Sequence, residues 1–231
     1  MKKDLKVSAL EKACARVETY NELARRTRST HFQLFTGAFS RPLFNGFRRV
    51  LSRVSPKTDF LVDLIHASFG LTGEIRELRD AIQKKDFVNA LEEVGDAYWY
   101  VALAHHWLPE VNKQKTRMNS PMEPISEELA VAVDQLDCTA HQLQNQVKRA
   151  LFYRKSPTKG ELVMLLFTLL HQLDAIVLAL GAEPAHVRAT NIEKLRLRYP
   201  AQYSDLAAVE RNLVVEANLL VTAFSPKHEK R

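Results

Sequence analysis

From residue 60 to residue 105 the apolar side chains return every three or four positions, and that period limits the fold open to this chain more than any other feature. At ~100° per residue along a helix, Phe60, Leu64, Ala67, Leu71, Ile75, Leu78 and Ile82 fall on one stripe. Phe87, Ala90, Val94, Tyr98, Val101 and His105 fall on a second. The spacing predicts two helices, over 59–83 and 86–107, with Asp59 as the N-cap of the first. The polar "KKD" between them folds the pair into an antiparallel hairpin.

Similar patterns predict helices over 5–27, 127–153, 159–180, 183–198 and 204–221. No stretch shows strand alternation, so the expected fold class is all-α, a helical bundle built on antiparallel helical hairpins. Three parts are expected: an N-terminal helix and irregular connector over 1–58, with a short helix around 42–53, the all-α domain over 59–222, and a disordered basic tail over 223–231. The pair 127–153 and 159–180 reads as a second hairpin, a copy of the scaffold that lacks the acids of the first.

Apolar residues make up 46% of the chain and charged ones 26%, with only 7 Gly and 9 Pro, which excludes a low-complexity chain. Cys14 and Cys138 have no metal-type spacing and read as two buried or idle thiols of a reducing compartment. With acids interrupting the N-terminus, the expectation is no signal peptide and a cytoplasmic protein. The apolar window 161–181 carries His171, Gln172 and Asp174 near its middle. Those groups are costly in lipid, so it reads as a core helix and no membrane partner is expected. A net charge of +6 favours anionic partners, whether phosphorylated small molecules or nucleic acid. The basic runs form no single stripe and match no DNA-binding motif, so nucleic acid is the weaker reading.

The acids of the first hairpin carry the chemistry. Glu74 and Glu77 are three apart on the first helix, Glu93 and Asp96 three apart on the second, all at the edge of the apolar stripes. If the hairpin turns about residue 85, Glu77 lies level with Glu93 and Glu74 level with Asp96. Side chains three apart share a face, and packed helices lie about 8–10 Å apart, so four carboxylates can converge on one small volume. Such a cluster repels itself unless a cation lies within it. Oxygen-only donors suit Mg²⁺, with Mn²⁺ as a second option, and Mg²⁺ completes its shell with water and substrate phosphates. Small residues one turn away, Ala67 and Gly70, leave room for a ligand. Glu92, Asp80, Arg76 and Arg79 point away. The competing reading, ordinary surface glutamates on amphipathic helices, stays open. A di-iron site is disfavoured, because Glu183-Pro-Ala-His186 is the only Glu-x-x-His and has no partner copy.

Glu74-x-x-Glu77, a spacer and Glu93-x-x-Asp96 resemble the motif of the MazG-like all-α nucleoside triphosphate pyrophosphohydrolases. The surrounding "HASFGLTGEIRELRDA" and "NALEEVGDAYWYVALA" look like the versions in bacteriophage and bacterial members. "VKRALFYRK" (147–155) and "NIEKLRLRYP" (191–200) resemble later blocks, so the likeness spans 60–210 and hardly touches 1–58. It implies hydrolysis of a (d)NTP between the α and β phosphates, giving a monophosphate and pyrophosphate, with Mg²⁺ held by Glu74, Glu77, Glu93 and Asp96. Glu77 is the choice of base, with Glu74 also assigned to catalysis. Lys148, Arg154, Lys194 and Arg198 are candidates to face the polyphosphate, and Asn191 and Tyr153 to contact base or sugar. Solvated charges, a buried cap and a packed ring are the alternatives for these six. Tyr98, Trp99 and Tyr100 are read as core in preference to a base-stacking platform, and His66, His105 and His106 as structural. A homo-oligomer, dimer or tetramer, is expected, in the host cytoplasm if the chain is phage-encoded.

Overall fold

The computed structural model describes residues 20–28, 57–105, 128–153, 155, 157–199 and 210–225. These form seven helices and, among the described residues, no strand. In chain order they are α1 (20–25), α2 (Lys57–Lys84), α3 (Phe87–His105), α4 (Leu129–Tyr153), α5 (Lys159–Ala179), α6 (Pro184–Arg198) and α7 (Leu213–Phe224). The all-α expectation is met. The helix expected around 42–53, most of 5–27 and residues 226–231 lie outside the described residues.

The α2–α3 hairpin turns on Lys85 and Asp86. Lys85 adopts φ 58°, and the Asp86 N–H donates back to the Ala81 carbonyl at 2.9 Å. That is a Schellman stop with a lysine at the left-handed position usually given to glycine. Asp86 then caps α3, its Oδ1 accepting the Asn89 N–H at 3.1 Å. The predicted stripe of α2 is the buried one: Leu64, Ala67, Leu71, Ile75 and Leu78 are all at most 1% exposed. Burying each such Leu or Ile contributes roughly 1.5–3 kcal/mol before chain entropy is counted. α2 begins at Lys57, so Asp59 is inside the helix and is not its cap.

α2 packs against α3 and α4, and α5 closes the ring by packing against α4 and α3. The two hairpins read from the sequence therefore complete a four-helix bundle within one chain. Arg79, expected to point away, instead bridges α2 to α4 through Asp134 (2.8 Å) and Asp137 (3.3 Å). α5 starts on a capping box: the Glu161 N–H donates to Thr158 Oγ1 (3.2 Å) and the Thr158 N–H to Glu161 Oε2 (2.7 Å). By length and composition α5 could cross a membrane. Here its Leu166, Leu169, Leu173 and Ile176 are fully buried in the bundle. Gly181 ends this stretch at φ 78°. Cys138 on α4 is exposed rather than buried.

α6 and α7 lie outside the bundle, α6 on α3 and α7 on both. Gly95 makes the α3–α6 approach possible, because a Cβ there would lie 3.2 Å from the Asn191 Cβ. α7 starts at Leu213 on the Asn212 cap and runs to Phe224, past the predicted end at 221. Residues 20–28 join the same core: Tyr20 donates to Asn191 Oδ1 (3.0 Å), and the Trp99 indole donates to Thr27 Oγ1 (2.8 Å).

Candidate metal centre

The carboxylates of Glu74 and Glu77, one turn apart on α2, and of Glu93 on α3 each offer an oxygen within 4.8 Å of the other two. Glu93 is buried at 7% exposure, Glu74 half-buried and Glu77 exposed. Burial, then the charge of Asp96, pushes the Glu74 carboxyl up to about 9, and burial pushes Glu93 up to about 7. A carboxyl held that high keeps its proton near neutral pH until a cation displaces it.

Asp96, the fourth predicted ligand, lines the same cleft but stands outside the triad. Its Oδ2 accepts from Lys194 Nζ at 2.5 Å and its Oδ1 from Asn191 Nδ2 at 2.7 Å. Lys194 also donates to Glu92 Oε1 at 3.1 Å, so Glu92 does not point away. Lys194 is 1% exposed. Burial alone would lower its pKa, yet Asp96 and Glu92 hold it above the ordinary value. Asn191 and Lys194, expected on the substrate, thus engage the acids from α6.

The cleft has a volume of about 980 Å³, within the range of small-molecule sites. The triad and Asp96 form one wall, and Arg198 and Arg211 stand on the wall made by α6 and α7. Arg198 is the one predicted cation among the described cleft residues. Lys148 and Tyr153 are exposed on α4 and are not cleft residues, and Arg154 lies outside the described residues.

The cleft also has an aromatic side, formed by rings that pack partly against the core. Trp99 and Tyr100, assigned to the core, and His66, assigned to structure, all line it. Their rings meet edge to face, His66–Tyr100 at 5.5 Å and Trp99–Tyr100 at 5.0 Å between centroids. Gly70 serves this cluster rather than a ligand: a Cβ there would fall 2.1 Å from the Tyr100 ring. The signal was available, since Gly70 and Tyr100 are each fifteen residues from Lys85 and so lie level across the hairpin. Tyr98, by contrast, is a core residue at 0% exposure, its hydroxyl bonded to Asp174.

Comparison of the chain with protein-family models, with curated proteins and with solved structures finds no match.

Proposed function

We propose that this chain is a divalent-cation-dependent nucleoside triphosphate pyrophosphohydrolase, in line with its resemblance to the MazG-like enzymes. One observation carries the reading: three carboxylates within 4.8 Å of one another line a cleft that two arginines also line. The donor set is all oxygen, which fits Mg²⁺ or Mn²⁺ and not a thiolate-seeking metal. Glu74, Glu77 and Glu93 would hold the ion, which when bound supplies charge for the phosphate oxygens and a more acidic water.

The chain's own residues do the rest. Arg198 and Arg211 offer charge to the phosphates from across the cleft. Glu77, the most exposed of the triad, takes a proton from the attacking water. The water oxygen bonds to the α-phosphorus, the bond from that phosphorus to the bridging oxygen breaks, and pyrophosphate leaves with that oxygen. Asn191 and Lys194 keep Asp96 in place and set the field around the triad. His66, Trp99 and Tyr100 offer apolar ring surface to the base.

The test is incubation with each (d)NTP and Mg²⁺, with monophosphate and pyrophosphate followed by phosphorus NMR. Glu74→Gln and Glu93→Gln should each cut turnover by at least about a hundredfold while the protein stays folded. No pyrophosphate from any nucleotide would sink the proposal.

A second reading, single-stranded nucleic-acid binding, draws on one corner of α4. Phe152 and Tyr153 are 75% and 61% exposed beside the exposed Lys148, Arg149 and Lys155, a pairing that suits stacked bases and backbone phosphates. Salt-sensitive binding of a labelled oligonucleotide without (d)NTP turnover would favour it.

A further inference from the structure

The Glu216 carboxylate is 4% exposed. Arg198 grips it through Nε to Oε1 (3.1 Å) and Nη2 to Oε2 (2.6 Å), and Arg211 adds a third bond to Oε2 (3.0 Å). The three side chains come from the end of α6, the residue ahead of the α7 cap and the first turn of α7, and all three line the cleft that holds the acid triad. A planar anion held by two guanidinium groups is the arrangement that recognises phosphate. Here the anion belongs to the protein.

We propose that Arg198 and Arg211 form an anion subsite for the outer phosphates of a polyphosphate, and that Glu216 fills this subsite until such an anion displaces it. The subsite builds on the hydrolase reading above, because it places the phosphates across the cleft from the triad. Without an internal anion the largely buried Arg198 guanidinium, 14% exposed, would be left unpaired, which is costly. Each phosphate group brings more charge and more acceptor oxygens than one carboxylate. The exchange therefore favours the polyphosphate, and the displaced carboxylate has the cleft to turn into. Arg211 also explains why a chain with an acid-lined cleft admits a polyanion at all: the repulsion from one wall is offset by attraction to the other.

The experiment titrates the full chain with inorganic pyrophosphate by calorimetry in EDTA, so that no cation can bridge phosphate to the triad. Arg211→Gln should weaken binding about fivefold or more, and Glu216→Gln, which removes the competing charge, should tighten it about tenfold. Arg211 is more than a third exposed (39%), so its variant keeps the test decisive if Glu216→Gln does not fold. Unchanged affinity in folded Arg211→Gln, weaker binding in folded Glu216→Gln, or no pyrophosphate binding by the unmodified chain would each overturn the subsite. (d)NTP turnover is read separately with Mg²⁺. Arg211-dependent binding without turnover keeps the subsite and sinks the hydrolase, whereas turnover with an affinity indifferent to Arg211 does the reverse.

Discussion

Lys194 shows how a single side chain organises the site without facing the cleft. Its ammonium is almost fully buried at 1% exposure between Asp96 and Glu92, and those two acids remain 27% and 20% exposed. Removing the cation leaves two carboxylates facing each other beside the triad, so Lys194→Met should destabilise the fold by about 2 kcal/mol. That lies below the full value for breaking a buried pair because Asp96 and Glu92 keep partial hydration. Urea unfolding measures it, and a change within experimental error would show that the ion triplet contributes nothing net. Neither Lys194's partner nor Asp96's was legible in the sequence. The local helix period places Asp96 on an edge, but which element reaches that edge depends on contacts some hundred residues away. The three glutamates were legible because two short-range features fix them: the stripe of each helix and the turn between them.

At the scale of elements, the α2–α3 turn illustrates how local chemistry sets the register that the site needs. The mirror pairing about Lys85 holds for Gly70 with Tyr100 and for the convergence of Glu74, Glu77 and Glu93. Asp96 neighbours Glu74 but stands outside the three-glutamate group, its carboxylate bonded to Asn191 and Lys194 of α6. Lys85 carries the turn at φ 58°, where a non-glycine residue costs about 1–2 kcal/mol. Glycine would remove that strain at an entropy cost of about 0.5–1 kcal/mol. Lys85→Gly should therefore raise stability by roughly 0.5 kcal/mol or slightly more, read from the denaturation midpoint at unchanged slope. A loss of stability instead would mean that the turn is not under left-handed strain. Helix ends were read less well than helix bodies. α7 begins where Asn212 accepts the Val215 N–H (3.2 Å), a cap that the apolar period alone does not reveal.

Across the whole molecule, a chain of net charge +6 lines one cleft with an acid triad, with Asp96 alongside, and with two arginines paired to Glu216. Of the two arginines only Arg198 was anticipated, through the family resemblance, since the seating of α6 and α7 on α3 rests on close approaches such as Gly95 against Asn191. This layout makes global stability depend on pH in a direction fixed by the triad. Glu74 and Glu93 titrate at about 9 and about 7 in the folded chain, above their ordinary 4.5. The folded state thus binds more protons than the unfolded one between those values. Through these two groups, metal-free stability falls as pH rises from near 4.5 toward 9. Mg²⁺ competes with the same protons, so its stabilising effect must grow as they leave. Thermal unfolding at about pH 6 and about pH 8.5, each in EDTA and in millimolar Mg²⁺, should show a Tm gain of several degrees at the higher pH and little at the lower. Glu74→Gln removes one of the competing carboxylates and should shrink that gain. Equal Tm gains at both pH values, or the same gain in Glu74→Gln, would mean that the ion binds elsewhere and that the triad is not the metal centre.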